Sequence, residues 1–533
     1  MDASTLFIAL LALVNLPIPS CGYPLSTDKR WIRDDATGQR VKLACVNWPG
    51  HQETMLPEGL HKAPLANIVS NIKKLGFNCV RLTYATNMFT IDDTTTAMKN
   101  LESLGLRGAI SGFNMYNPTL LEATVARVQS AVIDELGSQG LMVILDNHVS
   151  EPKPCCRDND GNGFWGDTYF DPKEWMRALS MVAIRYSGTP AVVGLSLRNE
   201  LRGPNQNWTA WIENVETGVD LITQFNTNAL IIVSGLNYDH DLQYFQNKTL
   251  CTNAQNKLVY EVHRYSFTNP NPAFGDQNIW LNQSLNDACD QMTQDMEQKV
   301  GFLLKGNNTS GPVFVSEFGV DETGANAADN DYLPCLMSYL VENDLDWGLW
   351  GLQGSYYYRE EEIDPVEPYG ILNANWTAVK NPEFVNKLHF IQRKIQDPYS
   401  NKTGYLIMYH PLSGKCATVN NSKVYLGDCF NTTKWYYQGI WFPLGILNTR
   451  LCLRAVGDGS PVVITDHCRR MTWQFFTKSQ NQISMRDDKG LDLCLDWDTS
   501  TSQKVVTKKC ISAAGNSTNP QSQWFKLVPS NIW

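Results

Sequence analysis

From about residue 41 the chain alternates short apolar runs with longer amphipathic stretches. The runs are VKLACVNW (41–48), FNCVRLTY (77–84), LMVILDNH (141–148), AVVGLSLRN (191–199), ALIIVSG (229–235), KLVYEVHRY (257–265), PVFVSEFG (312–319) and LDWGLWGL (345–352). Each has the length of a buried strand. The stretches between them, such as 65–76, 120–140 and 172–188, repeat apolar residues at helical spacing, and a last helix is expected over 381–395. Strands that alternate with helices imply a parallel sheet, and eight such units predict a closed (β/α)8 barrel. No G-x-G-x-x-G follows the first strand, which argues against a dinucleotide-binding sheet. The segments 86–118, 149–170, 266–281 and 353–380 are long and would be loops at the face where barrel active sites lie. The acidic run Glu360, Glu361, Glu362 and Asp364 reads as a solvated loop rather than a cation site.

Beyond a polar linker at 396–404 the helical period stops and short strands, turns and cysteines take over. Three similar segments begin at Cys416, Cys452 and Cys494, about 40 residues apart. Each has a second Cys 13 to 16 residues later and a Trp beyond it, at Trp435, Trp473 and Trp524. This threefold repeat predicts the bridges Cys416–Cys429, Cys452–Cys468 and Cys494–Cys510, and three repeats packed about one shared core.

Composition sets the compartment and the partners. At 533 residues the chain needs at least two domains. Net charge is −10 and no basic run is present, which argues against nucleic acid. The run LFIALLALV (6–14) is too short to span a bilayer and fits an export leader, residues 1–22, with cleavage near residue 22. No other segment is long and apolar enough to cross a membrane. Fourteen Cys and ten N-x-S/T sequons, among them Asn207, Asn247, Asn282, Asn375 and Asn431, agree with a secreted, extracellular or cell-wall glycoprotein.

Two carboxylates carry the candidate chemistry. Glu200, in LRNE (197–200), is expected to end the fourth strand, and Glu317, in VSEFG (315–319), the seventh. Cleaving an acetal needs a proton donor for the leaving oxygen and a stabiliser for the oxocarbenium-like centre, and two facing carboxyl groups supply both. A single strand-end Glu is more often a salt-bridge partner. Here Arg81, His148, His263, Tyr265 and Trp350 gather at the same expected face, and packing alone does not account for them. Arg198 reads as a structural ion pair. Neither a metal nor a cofactor is required, no close-set ligand cluster stands in the sequence, and Cys155-Cys156 reads as disulfide chemistry.

Over roughly residues 35–395 the chain resembles glycoside hydrolase family 5, the cellulase-containing barrel family. The motifs that carry it are LRNE, LDNH (145–148), EVHRY (261–265), VSEFG and WGLW (347–350). The resemblance implies that Glu200 is the general acid/base, Glu317 the nucleophile, and Asn199 the contact to the substrate 2-hydroxyl. It implies that Arg81 and Tyr265 hydrogen-bond the nucleophile, that His148 and His263 line the subsite, and that Trp350 is a sugar platform. The last 130 or so residues resemble ricin-type β-trefoil lectins, with the family's Q-x-W eroded to TKW, MTW and SQW. That resemblance implies one sugar-binding residue, Asp496, because Thr418 and Arg454 stand at the matching positions of the other repeats.

The domains expected are a catalytic unit over 23–400 and a lectin-like unit over 404–533. The activity expected is retaining hydrolysis of a β-linked polysaccharide or oligosaccharide, as an endo-β-1,4-glucanase. β-Mannanase, exo-β-glucosidase and a non-catalytic carbohydrate-binding wall protein are the rivals. A glycan is the expected ligand of the trefoil.

Overall fold

Eight parallel strands close on themselves in the order of the chain in the computed structural model. They are β1 (Ala44–Trp48), β2 (Cys79–Ala85), β3 (Met142–Val149), β4 (Val192–Ser196), β5 (Leu230–Val233), β6 (Leu258–His263), β7 (Val313–Phe318) and β8 (Asp346–Leu349). All eight are buried along their length, which is why they read as continuous apolar runs. The structure describes residues 24–90, 94–268, 278–306, 310–440, 442–469, 471–487, 489–499, 504–512 and 518–532. The expected leader, 1–22, lies outside them, as does part of the 266–281 segment.

Seven helices follow the pattern: α1 (Leu65–Lys74), α2 (Val125–Ser138), α3 (Pro172–Tyr186), α4 (Trp208–Phe225), α5 (Leu285–Lys299), α6 (Ala327–Asn343) and α7 (Pro382–Leu388). Capping explains two starts. Asp171 accepts from the Lys173 amide at 2.8 Å with Pro172 in the first turn of α3, and Thr124 caps α2. The Thr124 cap also splits the helix expected over 120–140, leaving a short turn at Pro118–Leu121.

Other expectations are corrected. The connection from β5 to β6 holds two 3-10 turns, Gln243–Gln246 and Gln255–Lys257, and no α-helix, because its polar sequence has no helical stripe to bury. The segment 86–118, expected as a loop, is largely short helices at Asn87–Thr90, Ala97–Ser103 and Arg107–Tyr116. Helix α7 stops at Leu388 because the chain beyond it is recruited to the barrel. The Ile391 carbonyl accepts from Trp347 Nε1 at 2.9 Å, and the Ile395 amide donates to Asp344 at 2.8 Å.

An antiparallel sheet of Leu25–Asp28, Trp31–Asp34 and Arg40–Val41, unforeseen from the sequence, places Leu25 and Ile32 against Cys45, Ile144, Ile232 and Phe314. It plugs the end of the barrel opposite the strand C-termini. There Asp344 takes both Arg40 and Lys42 in a buried ion-pair cluster.

The C-terminal region is an all-β domain. Its first strand, Tyr405–His410, pairs with its last, Lys526–Ser530. The bridges Cys416–Cys429, Cys452–Cys468 and Cys494–Cys510 are present. Ala417, Leu453 and Leu495, each just after a repeat's first Cys, meet Val424, Val462 and Val505 in one core with Trp435 and Trp473. The third Trp departs from the shared core. Trp524 joins the barrel's apolar cluster and donates to Asn286 Oδ1 of α5 at 2.9 Å, while Phe525 fills the domain core.

Candidate active site

Strand register brings the polar residues together at the C-terminal mouth. Arg81 on β2 stands beside Asn47 on β1, and Glu317 on β7 beside His263 on β6. Strand β8 can close on β7 because position 348 is glycine: a Cβ there would stand 2.6 Å from the Ser316 carbonyl oxygen.

Arg81 is wholly buried and organises the floor. Its guanidinium donates to Glu317 at 2.6 Å, Asn47 at 3.0 Å and Asn199 at 2.9 Å, and it pairs with Asp146 at 3.0 Å and Glu261 at 3.4 Å. Burial works against its charge, yet Asp146, Glu261 and Glu317 together outweigh burial and raise its pKa. Tyr265 Oη donates to the other Glu317 oxygen at 3.0 Å. Burial raises the Glu317 pKa, and His263 and Arg81 oppose that rise.

Glu200 is not inside the strand as expected. Strand β4 ends at Ser196, but the Leu197 and Asn199 amides still donate to Ile232 and Asn147 of the flanking strands. Glu200 then turns with φ +42 and faces the mouth. Its amide donates to Asp239 at 2.9 Å, and its carboxyl meets His263 Nδ1 at 2.9 Å. Burial pushes its pKa up to about 7. One oxygen of Glu200, one of Glu317 and a ring nitrogen of His263 lie within 4.8 Å of one another.

Arg198 makes no ion pair among the described residues. It is buried, donates to Asn147, Ser150 and the Asn162 carbonyl, and stacks 3.8 Å over Phe170. Burial, helped by Arg202, outweighs the pull of Asp146 and Asp160 and brings its pKa down to about 9.

His148 stacks on Trp350 with centroids 5.5 Å apart and on His51 at 3.9 Å. Burial holds both imidazoles well below their usual pKa, so they stay neutral. The sequence reading missed His51, Gln52, Asp239 and Tyr369, which also face the cleft or its residues. His51 and Gln52 follow β1 and could have been found as polar residues at a strand end. Asp239 sits in a run of left-handed residues, Asn237 to Asp239, that leaves no pattern in the sequence. The cleft encloses about 1410 Å³ and is bordered by Trp350, Tyr265, Phe267 and Tyr369.

No ligand cluster stood in the sequence, but folding assembles some. His263 closes on Glu200 and Glu317, and also on Asp239 and Glu261. The Arg81 guanidinium, paired with Glu317 and Glu261, serves both groups as their cation. Of the acidic run, Glu360 pairs with Arg157 at 2.8 Å and Asp364 with Lys62 at 2.5 Å. Cys155 and Cys156 are bridged to each other, Cys45 to Cys79 and Cys289 to Cys335, which leaves Cys251 as the free thiol among the described residues. Asp496 is 3% exposed, with its oxygens held by Lys508 and Ser522, both at 3.3 Å.

Comparison with known proteins places this geometry. Residues 34–355 match the family described as cellulase (glycosyl hydrolase family 5). A glycosyl hydrolase 5 family protein of Chamaecyparis obtusa is 40% identical over 99% of this chain and 97% of its own length. An endoglucanase of Paenibacillus polymyxa is 23% identical over 66% of this chain and 82% of its own. Among solved structures, the catalytic domain of the major endoglucanase of Xanthomonas campestris pv. campestris superposes with a TM-score of 0.56 at 22% identity, covering 69% of this chain and 99% of that one. An endocellulase of Pyrococcus horikoshii in complex with cellotetraose superposes at 0.55 and 20%, covering 70% and 100%. These two structures show a shared barrel fold.

Proposed function

The chain belongs to glycosyl hydrolase family 5, and from that premise we propose that it is a secreted, retaining endo-β-1,4-glucanase in which Glu200 is the general acid/base and Glu317 the nucleophile. That the chain is a glycoside hydrolase follows from the family. The observation that carries the finer reading is the carboxyl pair, with facing oxygens within 4.8 Å at the barrel mouth. Retaining enzymes hold their carboxyl groups about 5–5.5 Å apart, whereas inverting ones leave about 6.5–9.5 Å for a water.

The two environments divide the labour. Glu200, with its pKa near 7, keeps a proton to give to the leaving glycosidic oxygen. Glu317, held by Arg81 and the Tyr265 hydroxyl, attacks the anomeric carbon, and the C–O bond to the leaving sugar breaks as the glycosyl ester forms. Esterified Glu317 carries no charge, so the repulsion between the two carboxylates ends. The Glu200 pKa then falls, and Glu200 takes a proton from the water that hydrolyses the ester. In this reading Asn199 meets the 2-hydroxyl, His148 and His263 line the subsite, and Trp350 is the platform. The open cleft and the relatives named endoglucanase support internal cleavage of a β-glucan.

The same proposal assigns an export leader to 1–22, the catalytic unit to 23–400 and a ricin-type β-trefoil to 404–533. The threefold matched core positions and the pairing of first and last strands support the trefoil. Asp496 is its candidate sugar residue, reached only if a ligand displaces Lys508 or Ser522.

Glu317→Gln tests the reading. Reducing-end release from soluble β-1,4-glucan should fall on the order of 10⁴-fold, with glycan retention by the C-terminal domain unchanged. The wild-type kcat/KM should decline above about pH 7 as Glu200 loses its proton. Release from mannan alone would move the specificity, and release that is equal in wild type and variant would end the assignment of Glu317.

A further inference from the structure

We propose that the Cys155–Cys156 disulfide is a sugar-contacting wall of the catalytic subsite and the element that aims the Asn199 amide at substrate. The inference rests on the hydrolase reading above and deepens it.

Both cysteines are half-buried on the segment that follows β3, and both line the cleft with Glu200 and Trp350. Their sulfurs and a ring nitrogen of His148 lie within 4.8 Å of one another. The disulfide therefore continues the face made by Trp350 and His148. The Asn199 side chain stands between this wall and the charged floor. Its Oδ1 accepts from Arg81 at 2.9 Å, which fixes the amide so that Nδ2 points the other way. There Nδ2 meets the sulfurs of Cys155 at 3.8 Å and Cys156 at 3.7 Å, and these are the acceptors it finds among the described residues.

Sulfur is a weak acceptor. A donor in a buried place that is turned toward sulfur keeps most of its capacity for an oxygen that arrives later. A backbone carbonyl or a serine hydroxyl in the same position would saturate Nδ2 and compete with a sugar hydroxyl. The disulfide thus keeps the amide oriented and under-bonded, and it presents an apolar, polarizable surface to the ring of the bound sugar. Two free thiols would present rotatable side chains with S–H donors instead of one fixed wall.

The test separates this role from folding and from catalysis. In the full-length Glu200→Gln protein, cellotetraose binding is measured by calorimetry with the cysteines intact, as Cys155→Ala/Cys156→Ala, and as Cys155→Ser/Cys156→Ser. The expected result is about a tenfold weaker Kd for the alanine pair, and a larger loss for the serine pair because its hydroxyls compete for Nδ2. A 2-deoxy analogue of the bound residue should bind the alanine pair and the parent with a difference smaller than cellotetraose shows. Melting of all three proteins is recorded to confirm the fold. Affinity within twofold of the parent for both pairs, with all three folded, overturns the proposal. So does an equal loss on cellotetraose and its 2-deoxy analogue. Because binding is read without turnover, wild-type protein that binds cellotetraose but hydrolyses no β-glucan would defeat the endo-β-1,4-glucanase reading and leave the wall standing.

Discussion

The barrel and the C-terminal domain bury their polar groups in opposite ways. At the barrel mouth one guanidinium, Arg81, faces Asp146, Glu261 and Glu317 in a wholly buried cluster. Such a cluster is expensive to desolvate, and an apolar layer would pack there at less cost. The C-terminal apolar core holds no such cluster among the described residues: Trp435 and Trp473 each satisfy a single N–H on a backbone carbonyl, Ala417 and Leu453, and the rest, Phe525 included, is apolar. The difference teaches that a buried cluster opening on the cleft marks the chemistry in this chain, whereas the equally buried Arg40, Lys42 and Asp344 at the opposite end of the barrel and the repeated Cys and Trp mark only packing. Trp524 is the exception, because it leaves its own core to join the two units through Asn286.

The largest expected effect breaks the contrast from both sides. Arg81→Ala leaves three buried carboxylates without their cation and should cost about 3–5 kcal/mol of barrel stability and abolish turnover. Trp473→Ala should cost a similar 3–5 kcal/mol, confined to the C-terminal domain. Calorimetry with a β-glucan assay checks both. If the Trp473 variant loses turnover along with its own melting transition, the two units are not separable in this way.

Next in size is the pH dependence of stability at the acid/base. The folded Glu200 pKa lies above its ordinary value of 4.5, at about 7. The folded state therefore binds the proton more tightly, and stability is lost as pH rises from about 4.5 to about 7. Glu200→Gln should melt a few degrees above wild type at pH 7.5, and the gain should vanish at pH 4.5. A constant gain across that range would mean that burial does not penalise the Glu200 charge.

The smallest effect concerns the joint. Asn286 accepts from Trp524 and donates to Gln482 and the Ile511 carbonyl. Asn286→Ala should cost about 1–3 kcal/mol and separate the melting of the two units, with kcat unchanged. A single unchanged transition would show that the remaining contacts, such as Lys526 with Glu342 at 2.7 Å, suffice to hold them together.

The sequence by itself determined the barrel strands, because a strand buried on both faces must be apolar along its whole length. It determined the C-terminal repeat, because Cys pairs and Trp recur at a fixed interval. It also offered Glu200, Glu317, Arg81, His263 and Tyr265 as site candidates, since polar residues that interrupt a buried strand's end need a reason to be there. Only the tertiary structure decided that Arg198 stacks on Phe170 and is held by neutral acceptors, that Asp239 holds the Glu200 amide, and that Trp524 turns to the barrel. Those outcomes depend on which distant segments meet, and no local period records that. The same holds for the Cys155–Cys156 wall beside Asn199: the dipeptide is visible in the chain, but its place in the cleft is fixed by β3, β4 and the closure of the barrel.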